Sequence, residues 1–589
     1  MTVWAGYYLR DPRGVARDAL ADSLSRVLSR HPGDVPTVTR LDRVGLVHVE
    51  TGAFRESSLV VEPGRALTLV AGEPFLDTSG PSSRASDIAR LHAAWTQGDF
   101  SLTSQTAGTF TGLNYASPTK TLSLIPDKLG VRPIYYAVTD EVIYFACALR
   151  ILEALESLPK VMDVRGAVET LALGYPLADR TPYTSIHAIR NGEVVAFQDR
   201  SIRRTRYWNL ADIRARQLTL TEAAEQVHTL FAHAVDRRRA DDRRSVAFLS
   251  GGLDSRCLVA ELVARGVELH TFNFANDGTK DSVFGDAFAR VVGTHHVRIP
   301  RPPDPVRWSM TMADVWGASS RRASLPVERP GLVWSGDGGS VGLGFVGVYP
   351  SVIALLRAGK RDEAVRKYVE EHEISVPLRV FRSKVADEVR DLVHAGIREA
   401  LDEVRGDEDP GREMYAFRMA HDQRRHLVLH FEDVDRHRLE FHLPFYDADL
   451  IAAVAAMPPE HVVGHKVYHE ALRFFPQSVR AVAWQTYPGH EPCPVPEPAD
   501  AIDQWGDAQK DLVRRSRRAT ILGETARVVF SRSFPRPLLN RQYLIAATVA
   551  HWLGVGDYSY AIDYAKSFSE MWGASGGRWA LTPPNGGVP

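Results

Sequence analysis

Cysteine is nearly absent: Cys147, Cys257 and Cys493 are the three in a chain of 589 residues. A disulfide framework and a four-cysteine zinc site both need more, so the expectation is reduced thiols in packed or surface positions. Net charge is nearly absent too. Lys plus Arg number 71 against 72 Asp plus Glu, a formal charge of −1, so no global field gathers the chain onto nucleic acid or anionic lipid. Long apolar runs are missing. The stretch from Tyr543 to Val555 is too short and too interrupted to span a bilayer, and the start MTVWAGYYLRDPRG has no basic segment followed by an apolar run. No internal repeat or low-complexity tract is visible. These absences leave an ordinary globular chain, expected in the cytoplasm, with neither nucleic acid nor membrane as partner. Its length is too great for one hydrophobic core and suits two or three domains.

What is present is a change of period. Up to Arg206, strand-like runs (Val44–Val49, Ala66–Val70, Thr121–Ile125, Val142–Ala146) alternate with Gly/Pro/Ser-rich turns. Asn191-Gly192 reads as a hairpin-like turn, Arg203, Arg204 and Arg206 as a solvated linker, and Tyr207-Trp208 as the exit. From Thr219 the pattern is helical, opened by an N-cap signature with Glu222. Ser245–Leu249 and Glu268–Phe274 read as strands, Arg256–Arg265 and Asp281–Val292 as helices, a βαβα order that predicts a parallel sheet. Long helices are expected from Tyr349 to Arg405 and from Arg412 to Met457. A Pro-rich stretch, Cys493 to Pro498, precedes further helical patterning and a Gly/Pro tail from Gly573. The domains are drawn at 1–208, 215–498 and 499–589, the last a helical extension of the second.

The strongest local signal is Ser250-Gly251-Gly252-Leu253-Asp254-Ser255, set between a strand and a helix. Paired glycines let the backbone approach a phosphate, and the N–H groups of the turn and helix start form an anion cradle aided by the helix dipole. Ser250 and Ser255 add hydroxyls, and Asp254 can hold a cation against the same phosphates. No Gly-Lys-Ser/Thr follows, so this is not the loop that cuts at the γ-phosphate. It resembles the pyrophosphate loop, whose families cut ATP between the α- and β-phosphates.

Further strings extend the resemblance. Gly72-Glu73-Pro74-Phe75, Asp87, Gly108-Thr109-Phe110 and Asp127-Lys-Leu-Gly-Val-Arg-Pro-Ile-Tyr-Tyr136 look like a glutaminase-type domain. Ser335-Gly-Asp-Gly-Gly339 looks like a second glycine loop, and Glu440-Phe-His-Leu-Pro-Phe-Tyr-Asp447 like a Glu-x-Arg-x-Pro-Phe-x-Asp segment. Together they resemble the asparagine synthetase superfamily. The resemblance implies an α/β chain: an Ntn-hydrolase-like αββα domain, then a pyrophosphate-loop parallel-sheet domain with a helical extension. It implies ATP and Mg2+, with Ser250, Gly251, Gly252, Asp254 and Ser255 on the pyrophosphate and Asp254 on the metal. The strand bearing Phe272 and Phe274 would offer backbone groups to adenine, with Asp281 in the next helix. Glu440 would orient or deprotonate the attacking amine, Asp337 would face the substrate, and Lys466 would stand in for a late family lysine.

Three departures qualify the chemistry. Where family glutaminases expose a cysteine there is Thr2, a far weaker nucleophile, so the first domain reads as a structural remnant. Ser340 stands where a metal-binding aspartate is usual, and Trp484-Gln485-Thr486-Tyr487 where the late lysine is. His426, His430, His437 and His442 read as solvated helix-face histidines rather than metal ligands, and His490 has no assigned role. The reading is an ATP-dependent ligase that adenylates a small-molecule or peptide carboxylate and passes the acyl group to an amine carried by its substrate, as in lasso-peptide cyclases or β-lactam synthetases. A glutamine-hydrolysing asparagine synthetase and a non-catalytic nucleotide-binding homologue are the alternatives. A precursor-delivery protein or a homodimer is compatible with either ligase.

Overall fold

The computed structural model describes residues 2–13, 16–76, 83–299, 325–406, 408–498, 501–503 and 507–583. Two six-stranded antiparallel sheets build the first domain. One runs Ile186–Ala188, Tyr135–Val138, Val142–Ala146, Thr2–Leu9, Val44–Glu50, Thr37–Leu41. The other runs Ser201–Arg206, Glu193–Gln198, Thr121–Pro126, Phe110–Ala116, Ala66–Gly72, Leu59–Glu62. Strand Thr2–Leu9 is buried along its whole length, because Tyr8 meets Tyr115 of the second sheet while helix Arg17–Leu28 covers the outer side. Helix Arg84–Thr96, capped by Ser83, covers the second sheet, which completes the αββα layers.

Two local expectations are corrected. Asn191-Gly192 joins strands of different sheets; the hairpin lies further on, where Glu193–Gln198 pairs with Ser201–Arg206. The arginines read as linker are thus an edge strand, and Arg204 is held by Asp179 at 2.8 Å. Alternation along that strand leaves most of its charges in water, which is why it resembles a linker in sequence.

The second domain begins with helix Leu220–Arg239, closed by a capping box between Thr219 and Glu222. Its five-stranded parallel sheet runs His295–Ile299, Glu268–Phe274, Arg244–Phe248, Leu332–Trp334, Glu440–His442. The chain builds outward on one side of Arg244–Phe248 and then on the other, so a crevice opens at the carboxyl ends of Arg244–Phe248 and Leu332–Trp334, where the two glycine loops emerge. The expected long helices are instead short pieces. Pro350–Arg357 and Arg361–Glu371 are split at Gly359, which has φ +73°, and a π-helical turn, Met419–Gln423, interrupts the run after Arg412.

The last segment forms helices Asp507–Val529, Arg541–Leu553 and Ser559–Ala574, which pack on one another. It also does more than extend the second domain. Strand Trp579–Ala580 pairs in parallel with Met162–Asp163, returning the tail to the first domain. Among the described residues no helix is long and apolar enough to cross a membrane.

Candidate active site

The turn after strand Arg244–Phe248 is folded on itself. Ser250 N donates to Ser255 Oγ at 3.0 Å, and Gly252 N donates to Ser250 Oγ at 3.2 Å. Gly251 N donates to Asp281 Oδ1 at 2.9 Å, which fastens the turn to the neighbouring helix Lys280–Val292. A Cβ on Gly251 would lie 2.6 Å from the Lys280 carbonyl, so only glycine permits that approach. Gly252 caps helix Leu253–Ala264 without any side-chain acceptor, leaving the first-turn N–H groups to an external one.

The second loop locks onto the first. A Cβ on Gly336 would sit 2.6 Å from Ser255 N, and one on Gly339 would sit 2.5 Å from Asp254 Cγ. Ser340 donates its N–H and its hydroxyl to the two oxygens of Asp254, each at 2.8 Å. The serine found in place of an aspartate therefore orients Asp254. Removal from solvent pushes the Asp254 carboxyl up to about 6, against the pull of those hydrogen bonds. Asp337 accepts a 2.5 Å bond from Ser335 Oγ and stands 3.9 Å from His426 Nε2.

These loops line a cavity of about 610 Å³. Ser250, Gly252, Asp254, Ser255, Phe272, Phe274, Asp281 and Asp337 all border it; Gly251 lies just behind. Asp254, Asp281 and Asp337 offer hard oxygen donors that suit Mg2+, yet among the described residues no three ligand atoms in the cavity gather within 4.8 Å. The donor set fits a cation shared with phosphate oxygens rather than one caged by protein.

Two residues expected at the site are elsewhere. Glu440 is fully buried at the domain interface, where its carboxylate takes both terminal nitrogens of Arg132, one at 3.1 Å. Strand alternation explains this: Phe441 faces the cavity, while Glu440 and His442 face the first domain, with His442 Nδ1 3.1 Å from Glu73 Oε2. Lys466 is exposed, because on helix Lys466–Ala471 it is His469, preceded by His465, that turns inward. Three of the supposed solvated histidines are also corrected. His430, His437 and His442 are buried, and His430 packs its ring on Phe441 with centroids 3.8 Å apart. Removing one partner of the buried Arg132–Glu440 pair strands the other charge. Glu440→Ala is expected to cost about 3–5 kcal/mol, read as a lower urea midpoint at unchanged slope.

The cavity also holds side chains without a sequence assignment. His465 has φ +69°, a left-handed conformation rare for its kind, and its ring lies against Tyr487 at 5.8 Å. A Cβ on Gly344 would fall 2.4 Å from that ring, so the glycine makes its seat. His465 Nδ1 is 2.5 Å from His490 Nδ1. Burial, with His490 and His469 beside it, drives His465 down to about 3. Pro488-Gly489 before His490 is a turn signal in the sequence, whereas nothing there marks the left-handed Gly464-His465 pair.

In the first domain Thr2 is 3% exposed, and its hydroxyl is tied to Ser58 Oγ at 2.6 Å. Ser58 in turn accepts from Arg84 at 2.9 Å and donates its N–H to Glu50 at 2.8 Å. Thr2 thus sits in a buried hydrogen-bond network with Ser58, which also engages Arg84 and Glu50.

The glutamine amidotransferase domain family matches residues 78–208, and the asparagine synthase family matches residues 226–306. The chain is similar to asparagine synthetase (glutamine-hydrolyzing) 3 of Bacillus subtilis strain 168, 25% identical over 210 residues that make up 34% of this chain and 31% of the relative. It is similar as well to putative asparagine synthetase (glutamine-hydrolyzing) 2 of Methanocaldococcus jannaschii, 30% identical over 161 residues, 26% of this chain and 31% of the relative. The matched part is thus about a third of those relatives' length. A solved structure titled as the allosteric regulatory enzyme of purine biosynthesis aligns at a TM-score of 0.23 and 10% identity over 47% of this chain and 66% of its own, too loosely to carry an argument. The glutamine amidotransferase match lies on the αββα layers and the asparagine synthase match on the parallel sheet with its first glycine loop, an order that supports the asparagine synthetase superfamily for this chain.

Proposed function

We propose that this protein is an ATP-dependent carbon–nitrogen ligase that joins a carboxylate to an amine, cutting ATP to AMP and pyrophosphate and drawing no ammonia from glutamine. The observation that carries the reading is the Ser250–Ser255 turn. It ends at a helix start without a side-chain cap, is backed by a second glycine loop, and opens on a cavity large enough for a nucleotide and a second substrate. The carboxylate oxygen attacks the α-phosphorus, the bond to the β-phosphate oxygen breaks, and pyrophosphate leaves into the cradle of backbone N–H groups. Asp254, Asp281 and Asp337 would hold Mg2+, which supplies charge neutralisation to the phosphates when bound. The strand edge at Phe272 and Phe274 borders the space for the base. The amine then attacks the activated carbonyl carbon, AMP departs, and His490, oriented by His465, takes the amine proton.

The glutamine-free part rests on Thr2, whose hydroxyl is buried against Ser58, and on the interface between domains, which the pairs Arg132–Glu440 and Glu73–His442 fill. The test is two measurements on the full chain. ATP–pyrophosphate exchange over a panel of amino acids and short peptides should appear with one carboxylate class, and glutamine should yield no glutamate above background. ATP binding with no exchange for any carboxylate would favour a non-catalytic homologue; glutamate release would favour a glutamine-hydrolysing synthetase.

A further inference from the structure

At the end of the parallel sheet away from the cavity, a second group of chemistry-bearing side chains converges. Glu268 and His270 lie two apart on strand Glu268–Phe274 and so share one face. The edge strand His295–Ile299 pairs with it in parallel, and its register sets His295 directly against His270. The two imidazoles lie nearly parallel, with centroids 4.8 Å apart and planes at 25°. His295 Nε2 is 3.0 Å from Glu268 Oε1. One ligand atom from each of the three residues lies within 4.8 Å of the other two, the one such group of three among the described residues.

A simple ion pair between His295 and Glu268 does not account for the third member. His270 Nε2 is shut away from solvent and has no hydrogen-bond partner among the described residues, and an orphaned buried nitrogen is costly. A cation bound by the group would use His270 as well. We propose that Glu268, His270 and His295 bind one late first-row divalent cation, Zn2+ foremost, with water as fourth ligand, stapling the edge strand to its neighbour. Two imidazole nitrogens and one carboxylate oxygen suit Zn2+, whose tetrahedral sites have bonds of about 2.0–2.2 Å to such ligands. The 3.0 Å between His295 Nε2 and Glu268 Oε1 is near the edge length of about 3.3 Å that such bonds imply. Mg2+, which prefers an all-oxygen octahedron, does not match.

The same strand carries Phe272 and Phe274 to the cavity, so the staple would hold the strand that borders the nucleotide space while standing apart from the chemistry. The site does not depend on the ligase reading. The test uses full-length protein with any affinity tag removed, stripped by a chelator and titrated with ZnCl2 against a chromophoric competitor. One equivalent should bind with submicromolar affinity, and Co2+ should give the absorption of a tetrahedral site. His295→Ala, at a side chain 60% exposed, leaves packing intact and should weaken Zn2+ at least 100-fold; His270→Ala should do the same. Zn2+ should also raise the melting temperature of the wild type but not of H295A. Absence of stoichiometric binding overturns the proposal. So does tight binding that survives in H295A but is lost in His490→Ala, because the ion would then sit among the cavity histidines.

Discussion

Replacing Asp254 with asparagine lowers pyrophosphate exchange by about 10²–10³-fold while leaving the protein folded, on the scale seen when a group that stabilises developing charge is lost. The amide keeps the shape. Its carbonyl can accept the Ser340 N–H, and its NH2 can donate to Ser340 Oγ, whose hydroxyl hydrogen rotates, so both 2.8 Å contacts persist. What disappears is the negative charge that faces the phosphate space from the start of helix Leu253–Ala264. The pH dependence has a definite sign. Removal from solvent raises the carboxyl to about 6, so the charged form, and with it exchange, is lost as pH falls through that value, and the limb is missing from any residual D254N activity. Stability moves the other way. A carboxyl raised above its unfolded value stabilises the fold below the ordinary carboxylate range, and that contribution is lost as pH rises through about 6. D254N should therefore melt at a higher temperature than the wild type at pH 8, a gain bought with function. Exchange rates and melting curves from pH 5 to 8 check both statements.

The parts legible in the sequence are those where a local rule and the global fold agree. Strand Glu268–Phe274 lies where its apolar run ends in turn residues, and the Ser250–Ser255 turn lies between strand and helix because two glycines are needed where backbone meets backbone. The cavity roles of Glu440 and Lys466 failed for a common reason. Order along the chain places a residue near a site but does not say which face it presents, and a shift of one residue on a strand reverses that face. Phe441, not Glu440, borders the cavity. The Asp127–Pro133 string reaches the domain interface that holds Glu440. Asp127 accepts from the Leu129 and Gly130 N–H groups at 2.8 and 2.7 Å, a tight turn that delivers Arg132 to Glu440 across the interface. His465 was illegible because its position rests on a strained backbone and on the empty side of Gly344, neither of which has a sequence period.

Replacing His490 with glutamine should leave pyrophosphate exchange near the wild-type rate and slow amide formation by about 10²–10⁴-fold, the usual range for a lost general base. The Nδ1 atoms of His465 and His490 lie 2.5 Å apart, a contact that two lone pairs cannot make. One nitrogen must carry a proton. Burial, with His490 and His469 alongside, drives His465 down to about 3, so it is neutral at working pH, and the proposed base role assigns its Nδ1 as the acceptor. His490 then holds its proton on Nδ1, and its Nε2 keeps the lone pair; gaining a second proton there does not break the contact. Burial lowers His490 as well, so it stays competent as a base near neutrality, and amide formation should decline as pH drops through its lowered value. Tyr468, His469, Tyr487 and Glu491 are titratable groups of this corner, and glutamine at 490 retains a donor toward His465 while lacking any basic nitrogen. With hydroxylamine as the amine, product hydroxamate is read by its ferric colour using the carboxylate that supports exchange. Loss of both half-reactions together in H490Q would mean that the pair shapes the cavity instead of moving a proton, whereas hydroxamate formed at the wild-type rate would remove it from the reaction.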